Sequence, residues 1–150
     1  MQDRFLQFFI DMYPLVAALT SMVLTQVLKA IYCYLVEDRV DLKKMFASGG
    51  MPSSHSALVA SLTTAIGLRD GLGSSSFCIS VVFSIIVLYD SAGVRHLVGQ
   101  QAILLNQMMD DLFQRGEFKS EKLSELLGHT PLEVIVGVLL GIGIAFTLYY

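Results

Sequence analysis

Residues 12–28, 71–89 and 134–150 contain no Asp, Glu, Lys or Arg, and the run from Met45 to Leu68 lacks them as well. The first three runs are 17, 19 and 17 residues long, at the short end of the roughly 17–25 that a helix needs to cross a bilayer. A soluble chain of 150 residues has one core to fill and rarely places four such runs in sequence. Composition points the same way. Hydrophobic residues are 54% and charged residues 15%, against about 45–50% and about 25% in soluble domains. A small buried bundle can also be apolar, so the placement of the charges decides. The expectation is an integral membrane protein, all-α, formed as one domain over residues 1–150.

Local signals divide the chain into helices. Pro14 suits a first helical turn, and Leu15–Val36 runs apolar with Lys29 as its one charge. Residues 37–50 are polar and then Gly-rich, as in a loop. Met51-Pro52-Ser53-Ser54 reads as a serine-capped helix start, and that helix ends near Arg69 before the turn from Asp70 to Ser74. A third apolar helix runs from Ser75 to Leu88 or on to Val94. From Leu97 to Phe113, apolar residues alternate with Gln100, Gln101, Asn106, Asp110 and Asp111, which predicts an amphipathic helix that need not span. A charged link over 114–119 and a short helix over Ser120–Leu127 follow. Thr130-Pro131-Leu132-Glu133 has the form of a capping box opening the last apolar helix, in which Gly137 and Gly141 lie at close-packing spacing. Cys33 and Cys78 read as small core residues without metal-ligand spacing. No basic stripe points to nucleic acid, and no cleaved signal peptide is expected over residues 1–12.

Spans at about 14–36, 53–69, 75–94 and 131–150 carry His55, Asp90, Arg95 and His129 to one membrane face. That face holds Arg39, Lys43, Lys44, Arg95, Arg115, Lys119 and Lys122, while the other holds Arg4 and Arg69, which makes the site face cytoplasmic. The chemistry suits a phosphoryl group. Helix N-termini at Ser53 and Thr130 offer amides and positive dipole ends to an anion. Arg95, with Lys43 or Lys44, can neutralise phosphate oxygens. Two histidines allow a nucleophile and a general acid. Glu133 could instead serve the capping box, bonding the Thr130 amide. Asp90 and Arg95 could pair near a helix end. Lys29 lies roughly 10 Å before Val36 at about 1.5 Å per residue, and either snorkels to the interface or reaches inward.

The segments Gly49-Gly50-Met51-Pro52-Ser53-Ser54-His55-Ser56, Asp90-Ser91-Ala92-Gly93-Val94-Arg95 and Gly128-His129-Thr130-Pro131-Leu132-Glu133-Val134, with Gln26-Val27-Leu28-Lys29, resemble one family. It is the divergent branch of the type 2 phosphatidic acid phosphatase and vanadium haloperoxidase superfamily, and the similarity runs from about residue 14 to the end. The resemblance implies that His55 is the general acid, in a Pro-Ser-Gly-His motif where Ser54 replaces glycine. It implies that His129 is the nucleophile, forming a phosphohistidine, and that Glu133 replaces the aspartate that orients it. It also implies that Lys29 turns inward. The superfamily's arginine six residues before the nucleophile is Leu123 here, and its lysine-to-Arg-Pro motif is absent from 37–50.

The expected function is a membrane phosphatase acting on phosphate monoesters or pyrophosphates, with lipid-linked substrates included. His129, His55 and Glu133 are the catalytic candidates. Arg95, Lys44, Lys29, Ser53 and Ser54 are the phosphate-binding candidates, and Asp90 supports them. No metal or other cofactor is expected. The alternative is a non-catalytic membrane protein whose anion pocket serves binding, assembly or regulation. A vanadate-dependent oxidase would need a soluble, vanadate-loaded fold. Substrate identity and oligomeric state are not fixed by the sequence.

Overall fold

The structure is a computed structural model that describes residues 11–37, 50–113 and 129–150, apart from the side chains of 36–37, 94–96 and 110–113. The proposed short helix at 120–127 and the loop lysines lie outside the described residues. All regular elements described are helical: α1 Tyr13–Glu37, α2 Ser54–Asp70, α3 Ser75–Tyr89, a π-helical turn Asp90–Val94, α4 Arg95–Phe113 and α5 Pro131–Tyr149. Short polar residues cap α2, α3 and α5. The Ser53 hydroxyl accepts from the Ser56 amide at 3.4 Å, Ser74 from Phe77 at 3.1 Å, and Thr130 from Glu133 at 3.4 Å. Gly71, with φ of 88°, closes α2 in a conformation that an L side chain strains to adopt.

Helix α2 lies at the centre, packed on α5, α1 and α3, and α1 also meets α5. Helices α2 and α5 run parallel. A Cβ added to Gly137 would collide with the Ser53 carbonyl, and one added to Gly141 with the Ala57 carbonyl. The expected close-packing glycines thus let two backbones touch, at matching four-residue steps on both helices. Helix α1 runs antiparallel to this pair. The Ser21 hydroxyl donates to the Ala57 carbonyl at 3.1 Å, and the Tyr13 hydroxyl donates to the Ala145 carbonyl at 2.7 Å. On the other flank, Ser84 donates to the Val59 carbonyl at 3.2 Å and shares a 2.7 Å bond with Thr63. At the end of the bundle that holds the 70–74 turn, Arg69 donates to both Asp70 carboxylate oxygens, at 2.6 and 3.0 Å, and to the Asp11 carbonyl.

The interior is small and polar while the outside is large and apolar. Ala17, Ala57, Ala65, Ala145, Ser21, Thr25, Ser56 and Ser61 are buried, whereas Leu35, Ile79, Ile86, Tyr89 and Leu139 are exposed. In water this arrangement would forfeit the hydrophobic driving force. In lipid it is the economical one, because helix association there relies on close packing and interhelical hydrogen bonds. The stretches Tyr13–Leu35, Ser75–Met109 and Pro131–Tyr149 are each long and apolar enough to cross a membrane. Helix α2 has 17 residues, about 26 Å at 1.5 Å per residue, and is enclosed by its neighbours.

One boundary differs from the sequence expectation. The third apolar helix and the amphipathic helix are not separate, since α3, the π-turn and α4 follow one another without a gap from Ser75 to Phe113. The change in polarity near Leu97 marks a change of surroundings rather than an end of the backbone. The π-turn fits an extra residue into the ladder. Cys33 lies late in α1 and Cys78 in the first turn of α3, toward opposite ends of the bundle, and both are thiols.

The close approach makes a direct prediction. Gly141→Ala should cost about 1–3 kcal/mol, because the obstructing atom is backbone and cannot swing aside. Gly143→Ala, where a Cβ meets nothing within 4 Å, should leave stability unchanged or slightly raised. Thermal unfolding of both variants in the same detergent checks this; equal midpoints would contradict the packing.

Candidate anion-binding site

Because α2 and α5 are parallel and in register, their N-termini lie side by side. The Ser53 amide donates to the Glu133 carbonyl at 3.2 Å, tying the start of one helix to the first turn of the other. Ser53 and Ser56 are fully buried there, and the Ser56 hydroxyl donates to that of Ser53 at 2.9 Å. Each N-terminus presents a positive dipole end, and its cap hydroxyl takes one first-turn amide. Two of them, aligned in a low-dielectric interior, form a region of positive potential.

His129 immediately precedes the cap of α5 and is only 4% exposed. Its Nδ1 lies 3.0 Å from Glu133 Oε2, and that same oxygen accepts the Thr130 amide at 3.1 Å. The sequence left capping and orienting as rival roles for Glu133. One carboxylate oxygen performs both, since it has a lone pair for each donor. With the carboxylate ionised, Nδ1 donates a ring proton to it, and in the neutral ring Nε2 then holds the lone pair on the opposite edge.

Lys29 resolves inward. It is 7% exposed, and a Cβ on Gly50 would lie 3.0 Å from Lys29 Cε and 3.7 Å from Nζ. The ammonium therefore rests against the backbone that leads into the α2 cap, within the field of the Glu133 carboxylate. Gly50 has φ of 86°, so both its conformation and its missing side chain admit the lysine. Sequence reasoning had not singled out Gly50 or Ser56. The Gly49-Gly50 pair before the cap was the available signal for the first.

The remaining candidates are placed less tightly. Ser54 opens α2 half-buried, and His55 follows it in the first turn with its side chain exposed. Asp90 opens the π-turn, half-buried, and that turn touches α5. Arg95 is the first residue of α4, but its side chain lies outside those described, as does the whole of Lys44. Among the described residues, no three of His, Cys, Asp and Glu gather as metal ligands would.

A family model described as the Divergent PAP2 family matches residues 10–144. The chain belongs to that family. This Divergent PAP2 member is also 38% identical over 149 residues to the uncharacterized membrane protein YuiD of Bacillus subtilis strain 168, covering 92% of this chain and 94% of that one. No solved structure matches. The family and its membrane-protein relative agree with the lipid-facing exterior, and the protein is a phosphatase-related membrane protein. Loss of Glu133 should cost more than loss of the cap hydroxyl alone. Thr130→Ala is expected to destabilise by about 0.5–2 kcal/mol. Glu133→Ala should exceed it in the same unfolding assay, because it also removes the carboxylate bonded to the buried His129.

Proposed function

We propose that this Divergent PAP2 protein is a membrane phosphatase that hydrolyses phosphate monoesters or pyrophosphates, lipid-linked ones included, through a phosphohistidine. The observation that carries the reading is the meeting of two parallel helix N-termini with the buried Lys29 and the Glu133-oriented His129. Such a concentration of positive potential is stabilised by an anion, and it offers the same stabilisation to charge that builds on phosphoryl oxygens in the transition state. His129 Nε2 attacks phosphorus while the bond from phosphorus to the leaving oxygen breaks, and His55 delivers its proton to that oxygen. Water then attacks phosphorus, the P–N bond breaks, and the water's proton returns to His55. Lys29, Ser53, Ser54, Arg95 and Lys44 hold the phosphate oxygens, with Asp90 supporting the arginine. In this reading the chain crosses the membrane four times and the site opens on the cytoplasmic face, where the basic loop residues gather.

A second reading keeps the pocket and removes the chemistry. It is favoured by Leu123, which stands where the superfamily supplies a phosphate-binding arginine. The pocket would then bind a phosphorylated ligand for assembly or regulation.

Phosphate transfer from a labelled, activated ester separates the two. Wild type and His55→Ala should both trap label on the protein, since a good leaving group needs little protonation, and His129→Ala should trap none. Substrates with poor leaving groups should suffer most in His55→Ala. Arg95→Lys should be slower than wild type, because an ammonium does not reproduce the guanidinium fork. Wild-type rates in both histidine variants would remove the mechanism. Phosphate binding without turnover in wild type would favour the second reading.

A further inference from the structure

Thr25 is fully buried, and among the described residues its hydroxyl has no hydrogen-bond partner. It stands one turn after Ser21 and one turn before Lys29 on the buried face of α1. Its neighbours on that face fix its level in the bundle. Ser21 is bonded to the Ala57 carbonyl, and Lys29 rests against Gly50. Because α1 and α2 are antiparallel, Thr25 falls midway, level with the Ser53 cap at the start of α2. A buried hydroxyl without a partner costs on the order of 1–3 kcal/mol. A helical threonine can also escape that cost by bonding a carbonyl one turn back, yet Thr25 does not.

We infer that the Thr25 hydroxyl is a ligand-binding group of the anion site, donating to a phosphoryl oxygen seated between Lys29 and the N-terminus of α2. The inference rests on the phosphate-site reading above and deepens it. Ser21, Thr25 and Lys29 form a ladder on one helix face, in which Ser21 locks α1 to α2 and the upper two groups face the ligand. The oxygen so held lies roughly 18–24 Å along α1 from Tyr13, at about 1.5 Å per residue. That is within the roughly 30 Å depth of a hydrocarbon core, so the phosphoryl group enters below the surrounding headgroups and sheds water as it does.

The test measures binding by detergent-solubilised full-length protein of two probes, inorganic phosphate and a short-chain diacylglycerol phosphate in the same micelles. Thr25→Val keeps the shape and removes the hydroxyl, Thr25→Ser keeps the hydroxyl, and Lys29→Met serves as the reference loss. Ser61→Ala is the control, since Ser61 is also buried without a partner but lies roughly 12 Å further along α2 from Ser53 at about 1.5 Å per residue. Thr25→Val should unfold no earlier than wild type without ligand, and should bind roughly 10-fold or more weakly. Thr25→Ser and Ser61→Ala should bind as wild type does. An effect on both probes assigns the group to any phosphate, and an effect on the lipid alone assigns it to a lipid phosphate. If Lys29→Met loses binding while Thr25→Val does not, the inference fails and the site stands, with an internal water as the partner of Thr25. If wild type binds neither probe, the site reading and the inference fall together.

Discussion

The approach of α2 to α5 places everything at the site end of the bundle. Neighbouring helices in a small bundle usually alternate in direction, which sets opposite dipole ends beside each other. These two run parallel, and Gly137 and Gly141 bring their backbones into contact with Ser53 and Ala57. Aligned dipoles at so short a distance repel, and the starting turns are tied together and partly offset by a carboxylate. Glu133 contributes to both. Its carbonyl accepts from Ser53, and its carboxylate holds the Thr130 amide and His129. Among the described residues, the Glu133 carboxylate is set against two N-termini and a buried lysine, a balance that favours an anion.

The opposite end of the bundle is balanced differently. Arg69 sits in the last turn of α2, where a cation complements the negative dipole end, and it spends its donors on Asp70 and the Asp11 carbonyl. One end is thus closed by its own partners, while at the other the described residues gather donors around Glu133. Burying a lysine inside an apolar shell is expensive, and such residues in membrane proteins mark binding sites and pathways. The small, polar interior fits this role. Alanine, serine and glycine let the helices pack closely, while leucine, isoleucine and aromatic side chains form the exposed exterior.

The parts of this design that rest on local chemistry were legible in the sequence. The Ser53 and Thr130 caps, the proline of α5 and the Gly137–Gly141 spacing each act within one or two turns, so a short segment contains the whole signal. The uncharged runs gave the helices and their lipid surroundings for the same reason. Properties that depend on a second element were not legible. Family resemblance favoured an inward Lys29, but the chemistry of α1 alone leaves both directions open, because the physical reason lies in a missing side chain at Gly50. The two roles of Glu133 looked exclusive until geometry put both donors on one oxygen. The join of α3 to α4 was missed because a π-turn has no composition of its own, and the polarity change beside it imitates a helix end.

The end where two helix N-termini meet a buried lysine, rather than any single histidine, is the centre of this account, and it would suit hydrolysis or simple ligand binding alike. Its most direct test is the position of a heavy oxyanion in crystals of the full chain soaked with tungstate, read from anomalous scattering. The account predicts a peak within hydrogen-bonding distance of Lys29 Nζ and His129 Nε2, at the first turn of α2. Tungstate bound only elsewhere, with these groups bare at a saturating concentration, would contradict it.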